Sequence, residues 1–213
     1  MAEWITGNRY LTQKEMDNNA ELFYLKIYSQ SVSSLTAISA MLGNMVYESN
    51  INPQIWENLT PNTNNGYGLT QWTPASKLID WCASNGLDYT NGDSQVERIK
   101  HEIAVNGQWF KNYYAPNVGY PINPPITFAE FVNTDSLSID DATAYFILYY
   151  EHPSESRMRN EIEKRRSMAK YYLEMLGGIS PEPPEPPEPV PPIYKNYSGI
   201  PLIYFHKKRF FNL

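Results

Sequence analysis

Hydrophobic side chains recur every three or four positions along most of residues 1–178, and the strict alternation that marks β-strands is almost absent. Thr12 and Glu15 have the spacing of a capping box, which predicts a helix that runs to about Ser29. Further helices are predicted to begin near Ser34, Thr73, Asp93, Thr127, Ser138 and Ser156. Residues 52–70 are rich in Asn, Thr, Pro and Gly, which indicates an irregular or β-hairpin insert. The pattern therefore predicts a mostly α domain with one small insert.

The composition changes after this domain. Residues 181–192 read Pro-Glu-Pro-Pro-Glu-Pro-Pro-Glu-Pro-Val-Pro-Pro, and proline has no amide donor for a helix interior or a central strand. We therefore predict a polyproline II linker over residues 179–192. Residues 193–213 are aromatic and basic, and they are too few to fold alone. We interpret them as a docking segment.

Charge and cysteine content exclude several classes of protein. The net charge is −6, and no basic strip interleaved with aromatic residues marks a nucleic-acid surface. The single cysteine, Cys82, excludes an intrachain disulfide and leaves no zinc pattern, so we expect a buried thiol rather than a nucleophile. No apolar run is long enough to span a membrane, and the first residues lack the pattern of a secretory signal. No metal or other cofactor is expected, and His101 and His152 are interpreted as surface and helix-end residues.

Glu48 continues the apolar stripe of the second predicted helix, after Ile38, Met41 and Met45. At the last turn of a helix, apolar neighbours disfavour an ionised carboxylate, and the negative end of the helix dipole acts in the same direction. A carboxyl group that keeps its proton near neutral pH can serve as a general acid. Glu48 is therefore the candidate catalytic acid, and the alternative is a cap or ion pair at a helix end.

The segment Gly66-Tyr-Gly-Leu-Thr-Gln-Trp72 follows on the predicted insert. Gly68 would let the backbone approach a sugar closely, and Gln71 offers a donor and acceptors to hydroxyl or N-acetyl groups. Tyr67 and Trp72 offer flat faces for pyranose rings, although both also suit a hydrophobic core. A glycosidic bond breaks when its leaving oxygen is protonated. The acid and this segment together therefore indicate a glycosidase cleft.

Five segments occur in an order that a known family shares. They are Asn8-Arg9-Tyr10-Leu11, Glu48-Ser49, Asn52-Pro53, Gly66-Tyr-Gly-Leu-Thr-Gln-Trp-Thr-Pro74 and Tyr150-Glu-His-Pro153. With them the chain resembles the phage tail lysozyme family, within the lysozyme and lytic-transglycosylase superfamily. The resemblance covers about residues 1–178. Transglycosylases have a similar Glu-Ser followed by Gly-Leu-Met-Gln, and Thr70 replaces that Met here.

The resemblance implies a lysozyme-like fold and cleavage of the bond between N-acetylmuramic acid and N-acetylglucosamine in peptidoglycan. The substrate-binding candidates are Ser49, Tyr67, Gly68, Gln71, Trp72 and Tyr150. Similar superfamily members place a tyrosine near the acid at the position of Tyr150, while its buried helix favours a core role. Glu151 is expected to form a buried pair or a cap contact.

The group that completes the cleavage stays open. An inverting enzyme needs a base, and a retaining enzyme needs a nucleophile. Glu57 is the best placed by spacing, and Asp135 is a distant alternative. Without such a carboxylate, the N-acetyl group of the substrate can assist and give a 1,6-anhydro product, as in lytic transglycosylases.

We therefore expect a muramidase-type enzyme on a phage tail tip, made in the infected cell's cytoplasm without a signal peptide and carried in the virion. Its expected partners are peptidoglycan glycan strands and, through residues 193–213, other phage tail proteins. One alternative is an endolysin released by a holin. Another is a non-catalytic glycan-binding tail module, against which the candidate acid Glu48 argues.

Overall fold

Seven α-helices form more than half of the residues that the computed structural model describes, which are 2–110 and 126–179. They are α1 (Gln13–Ile27), α2 (Leu35–Ser49), α3 (Ser76–Ser84), α4 (Gly92–Val105), α5 (Phe128–Phe131), α6 (Ile139–Phe146) and α7 (Glu155–Leu176). A π-helical turn, Ile147–Glu151, continues α6. No strand occurs within the described residues. The predicted mostly α, lysozyme-like domain is confirmed.

Several helices begin where the sequence predicts them. Thr12 and Glu15 form the capping box of α1, Ser34 caps α2, and Thr127 caps α5. Two predicted caps are wrong. Asn91 caps α4 in place of Asp93, because the Asn91 side chain accepts a 2.8 Å hydrogen bond from the backbone N–H of Asp93.

The other wrong cap is at α3, which begins at Ser76 after Ala75 rather than at Thr73. The Thr73 hydroxyl instead donates to the backbone carbonyl of Gln71 at 2.9 Å, so this residue belongs to the end of the insert. The last helix starts one residue earlier than expected, at Glu155, and is capped by Ser154.

Helix α2 lies at the centre of the fold and packs against α6 and α7. Its Ile38, Met41, Leu42 and Met45 side chains are buried. Gly43 allows α7 to approach closely, because an added Cβ would lie 2.6 Å from the Arg165 carbonyl oxygen. This central position brings the last turn of α2 against the middle of α7.

The insert between α2 and α3 is irregular. Trp56 pairs with Tyr67, and Tyr67 pairs with Trp72, in isolated antiparallel bridges. A short 3-10 turn, Glu57–Leu59, projects between them. The backbone N–H of Gly68 donates to the Ile55 carbonyl at 3.1 Å and closes the loop. The prediction of a small irregular insert is confirmed.

The structure tests the predictions for Cys82 and for membrane-spanning helices, whereas the predicted linker and docking segment fall almost wholly outside the residues it describes. Cys82 is buried, as expected, and burial raises the pKa of its thiol. Among the helices that the structure describes, none has both the length and the apolar character needed to cross a membrane. The predicted linker over 179–192, beyond its first residue, and the predicted docking segment over 193–213 lie outside the described residues.

Candidate active site

A cleft of about 690 Å³ opens between the end of α2, the insert and the turn that follows α6. Helix α2 contributes Tyr47 and Glu48, and the insert contributes Glu57 and Gln71. The turn contributes Glu151. The structure therefore brings the candidate acid and the candidate insert to one cavity.

Glu48 lies at the cleft with 10% of its side chain exposed. Its Oε1 atom accepts a hydrogen bond from Nη2 of Arg165 at 2.5 Å, and its Oε2 atom lies 3.8 Å from Nη2 of Arg157. The apolar surroundings expected for Glu48 are therefore not what the structure has at its carboxyl oxygens, where the alternative of an ion pair at a helix end is found. Guanidinium groups at these distances stabilise a carboxylate, so Glu48 is held in place by charge as well as by packing.

Arg165 is fully buried in the middle of α7. Its Nη2 and Nε atoms also donate to Oε2 of Glu161, at 2.7 and 3.2 Å, and its Nη1 donates to Oδ1 of Asn44 at 3.1 Å. Burial raises the pKa of Glu161, but hydrogen bonds from Arg165 and Arg157 outweigh it and lower that pKa overall. These contacts fix the orientation of the guanidinium that holds Glu48.

Sequence reasoning missed Arg165, although the chain carries a signal for it. The buried face of α7 consists of Met158, Ile162, Arg165, Ala169, Tyr172 and Leu176. Arg165 therefore occupies a position of the apolar stripe, at the three- and four-residue spacing of its neighbours. A charged residue in such a stripe is rarely fully buried without a partner.

Glu151 stands at the end of the π-helical turn, before His152, whose φ of 50° ends the turn. The residue is half-buried, but its Oε1 atom is covered and has no hydrogen-bond partner among the described residues. Burial, followed by the negative charge of Glu48, raises the pKa of the Glu151 carboxyl well above its usual range. The predicted buried pair or cap contact is therefore absent at this oxygen. The site thus contains two carboxyl groups, one paired with arginine at Glu48 and one without a partner at Oε1 of Glu151.

The Gly66–Trp72 run of the insert is anchored from behind by α4. Oε1 of Gln95 accepts from the backbone N–H of Leu69 at 2.9 Å, and its Nε2 donates to the Pro53 carbonyl at 2.7 Å. Gly68 has a φ of 77°, and an added Cβ would lie 2.6 Å from Oε1 of Gln95. Gly68 is therefore required by the backbone conformation and by the close approach of α4.

A second buried network centres on Glu102 of α4. Its Oε2 accepts from the Tyr150 hydroxyl at 2.5 Å, and its Oε1 accepts from Nε1 of Trp72 at 3.1 Å and from Nε of Arg98 at 2.8 Å. Burial, and then the charge of Glu102, raise the pKa of Tyr150 well above its usual range. The network joins the insert to the π-helical turn beneath the cleft.

These contacts correct part of the predicted substrate-binding set. The side chains of Ser49, Tyr67, Trp72 and Tyr150 are at most 2% exposed, and Gly68 is also buried. The Ser49 hydroxyl donates to the Leu69 carbonyl at 2.7 Å and so fixes the insert to α2. With no exposed side-chain surface to offer a sugar, these residues build the wall that a ligand would meet.

Besides Glu48, two other predicted site residues, Gln71 and Glu57, line the cleft. Nε2 of Gln71 donates to the carbonyls of Ile55 and Gly68, at 3.2 and 3.1 Å, so the side chain is fixed at the cleft surface. Oε2 of Glu57 accepts from the Gly66 N–H at 3.0 Å. Asp135 is exposed and does not line the cleft, so the structure does not bring this alternative to the site.

The exposed aromatic surface of the cleft comes from residues that were not chosen as candidates. Tyr10 and Phe110 are 63% and 61% exposed, and both line the cleft. The Phe110 ring stacks on His152 with a centroid distance of 4.0 Å. His152 also lies 2.7 Å from the Phe110 carbonyl through Nε2, and burial lowers the pKa of its imidazole. The sequence alone does not show which aromatic rings are exposed in the cleft, so it could not separate Tyr10 and Phe110 from the buried aromatic residues.

Comparison with known proteins identifies the family of this chain. The model of the phage tail lysozyme family matches residues 18–176. The chain belongs to this family. It is also similar to morphogenesis protein 1 of Bacillus phage B103, with 37% identity over 172 residues, which are 80% of this chain and 42% of that protein. The chain thus spans less than half the length of this curated relative.

Proposed function

We propose that this lysozyme-family protein is a peptidoglycan-degrading glycosidase of the muramidase type, with Glu48 as its acid. The observation that carries the proposal is the position of the Glu48 carboxyl, which lines a cleft of about 690 Å³ and is held there by Arg165. A fixed carboxyl beside a groove is the arrangement that glycosidic cleavage requires. Its substrate class is the glycan strand of peptidoglycan, at the bond between N-acetylmuramic acid and N-acetylglucosamine.

The proposed reaction begins with transfer of a proton from Glu48 to the glycosidic oxygen. The bond between that oxygen and the anomeric carbon breaks, and its electron pair goes to the departing oxygen. Water, or a hydroxyl of the same sugar, then attacks the anomeric carbon and releases its proton to a carboxylate. Attack by water is hydrolysis, while attack by the sugar's own hydroxyl gives the anhydro product of a lytic transglycosylase.

Glu57 is the proposed acceptor of that last proton if water attacks. It lines the same cleft from the insert, and its hydrogen bond from Gly66 fixes one carboxylate oxygen. A carboxylate across the groove from the acid is what an inverting glycosidase uses. Glu57→Gln would then reduce formation of the hydrolysis product. Unchanged hydrolysis by this variant would remove Glu57 from the mechanism.

Tyr10, Gln71 and Phe110 are the proposed sugar contacts. The two rings expose apolar faces in the cleft, and the Gln71 amide lies at its surface. Aromatic faces bind the apolar faces of pyranose rings, while amides bond to hydroxyl or N-acetyl groups. The buried Tyr67 and Trp72 act behind them as support.

The decisive experiment compares the muropeptides that the wild type and Glu48→Gln release from purified peptidoglycan, by mass spectrometry. The amide keeps the shape of the side chain but has no proton to donate, so we expect kcat to fall by about 10² to 10⁴-fold. Glu163→Gln is the matched control, because Glu163 lies on α7 with 74% of its side chain exposed.

The products distinguish the alternatives. Reducing-end muropeptides indicate hydrolysis, and anhydro muropeptides indicate transglycosylation. Wild-type turnover that survives in Glu48→Gln would refute the role of Glu48. Binding to peptidoglycan without any release would favour the non-catalytic glycan-binding tail module instead.

We further propose that the enzyme acts from a phage tail tip, where it opens the wall locally. Membership of the phage tail lysozyme family and the name of the B103 relative, a morphogenesis protein, support a virion role. Deleting residues 193–213 should leave peptidoglycan cleavage intact while removing the protein from purified particles. Unchanged incorporation would refute docking through this segment, and free enzyme in lysates with none in particles would favour a holin-released endolysin.

A further inference from the structure

The leading segment of the chain, residues 2–11, runs beside the insert without forming a helix or strand. Nδ2 of the fully buried Asn52 donates to the backbone carbonyls of Gly7 and Arg9, both at 2.7 Å. These two bonds flank Asn8 and fix the backbone on either side of it. The side chain of Asn8 is therefore presented to the insert from a defined position.

The Asn8 carboxamide bonds to the backbone on both sides of Glu57. Its Oδ1 atom accepts a hydrogen bond from the N–H of Trp56 at 3.0 Å, and its Nδ2 atom donates to the carbonyl of Leu59 at 2.8 Å. A single side chain thus spans the 3-10 turn Glu57–Leu59, from the residue before it to its last residue. The amide supplies both the acceptor and the donor that this bridge needs.

The turn that Asn8 spans has an unfavourable backbone conformation. Asn58 and Leu59 have φ angles of 53° and 56°, in the left-handed region that side chains other than glycine rarely adopt. All three residues of the turn are exposed, so core packing does not hold them. Residues in such conformations persist only where neighbouring groups fix them. The hydrogen bonds from Asn8 are a restraint of this kind.

The turn also sets the position of the Glu57 carboxylate in the cleft. The backbone N–H of Glu57 donates to the Gly66 carbonyl at 2.9 Å, and the N–H of Gly66 donates to Oε2 of Glu57 at 3.0 Å. Gly66 is buried, whereas Glu57 is exposed and lines the cleft. A displaced turn would withdraw the carboxylate from this donor. Asn8 does not line the cleft, so it acts on that surface through the turn.

We propose that Asn8 is a positioning residue that holds the Glu57 carboxylate at the cleft by fixing the turn. The inference rests on the proposed glycosidase function and deepens it at its second carboxylate. In hydrolysis, the oxygen of the attacking water forms a bond to the anomeric carbon, and an O–H bond of that water breaks and passes its proton to Glu57. Asn8 makes no bond to the substrate and sets where this acceptor lies.

A double-mutant cycle on hydrolysis tests the coupling, with wild type, Asn8→Ala, Glu57→Gln and the double variant. Alanine removes both hydrogen bonds to the turn. Because misplacement of a reacting group by about 1 Å costs up to about 10²-fold in rate, we expect Asn8→Ala to lower kcat by about 10- to 100-fold with KM little changed. In the Glu57→Gln background the same substitution should change kcat by less than about twofold, since the carboxylate that Asn8 positions is gone.

Equal losses in the two backgrounds would show that Asn8 acts independently of Glu57 and would overturn the proposal. Asn18→Ala is the matched control, because Nδ2 of Asn18 donates to the Glu3 carbonyl at 2.9 Å and so holds the same leading segment away from the turn. We expect this variant to keep the kcat of the wild type. A loss as large as that of Asn8→Ala would assign the effect to loosening of the whole segment and refute a specific role for Asn8.

Amide hydrogen exchange, followed by NMR without substrate, tests the geometry apart from turnover. The Gly66 amide reports on the Glu57 carboxylate that accepts its bond, and the Trp56 amide reports on Asn8. We expect Asn8→Ala to speed exchange at both amides by about tenfold or more, while Asn18→Ala leaves both unchanged. Unchanged exchange at Gly66 in Asn8→Ala would overturn the proposal even if the Trp56 amide exchanges faster, because the carboxylate would then be held without Asn8.

The two measurements separate this inference from the proposed function. If the wild type cleaves no peptidoglycan, or if Glu57→Gln hydrolyses it as fast as the wild type, the proposed function fails at that point, while exchange at Gly66 still decides whether Asn8 positions Glu57. Should Asn8→Ala fold poorly by circular dichroism, Asn8→Ser replaces it in both measurements, since a serine side chain is too short to reach both backbone groups. A folded variant that keeps the wild-type exchange at Gly66 refutes the proposal.

Discussion

The backbone of Gly43 in α2 lies against Ala169 in α7 so closely that a Cβ added to the glycine would stand 2.7 Å from the Cβ of Ala169. This contact sets the separation of the two helices that carry Glu48 and Arg165. The arginine reaches the carboxyl at 2.5 Å because the helices approach at this point. A packing contact buried between α2 and α7 thus helps to determine the geometry of the acid.

Gly43→Ala is expected to destabilise the protein, although alanine is the better helix former by about 1 kcal/mol. The added methyl group would meet backbone atoms of α7, which cannot rotate away, and overpacking of this kind costs about 1–3 kcal/mol. Urea unfolding should show the net loss, and kcat should fall because α7 moves away from Glu48.

Gly178→Ala is the control for this substitution, since an added Cβ there meets no atom within 4 Å. A Gly43→Ala protein as stable and as active as the wild type would show that the helix separation does not matter for the site.

Phe110→Ala and Tyr10→Ala are expected to weaken substrate binding without unfolding the protein. Each ring is more than half exposed in the cleft, so its loss removes little core packing. Stacking of about 0.5–1.5 kcal/mol per ring predicts a two- to tenfold rise in KM, with kcat changed less. Kinetics on soluble glycan fragments would measure both constants.

The matched control for these rings is Val105→Ala, at an exposed position, 58% accessible, that does not line the cleft. Trp72→Phe should behave differently from all three, lowering stability because Glu102 loses a buried donor. An unchanged KM in both Phe110→Ala and Tyr10→Ala would remove these rings from the binding surface.

Glu151→Gln is expected to stabilise the protein increasingly as the pH rises. The folded-state pKa of Glu151 is raised above the ordinary value of 4.5. The stability that its protonated form contributes is therefore fully present below pH 4.5 and is lost as the pH rises toward the folded-state pKa. Glutamine has no such loss. Thermal unfolding should show similar Tm values at pH 4 and a higher Tm for the variant at pH 7 to 8.

A difference in Tm that stays constant between pH 4 and pH 8 would show that Glu151 ionises alike in the folded and unfolded chain. A gain in stability accompanied by a loss of kcat at neutral pH would instead show that the wild type retains an unfavourable buried group for its activity.

Much of the fold follows from patterns within short segments. The capping box of Thr12 and Glu15 and the spacing of Ile38, Met41 and Met45 depend on neighbours along the chain, so the sequence alone predicts them. The sequence predicts Asp93 as the cap of α4, whereas Asn91 is the cap, because both residue types cap helices and only the backbone conformation selects one.

The sequence by itself determined the helical class, the irregular insert and the position of Glu48 at the end of α2, since each depends on local spacing. Tertiary structure alone decided what surrounds that carboxyl. Arg165 is 117 residues away along the chain, and its contact with Glu48 exists only because α2 and α7 pack together. Burial likewise separated Tyr67 and Trp72, which support the wall, from Tyr10 and Phe110, which face the cleft. Exposure and charge pairing depend on distant segments brought together, so the periodicity of α7 marks Arg165 as a buried position but does not identify Glu48 as its partner.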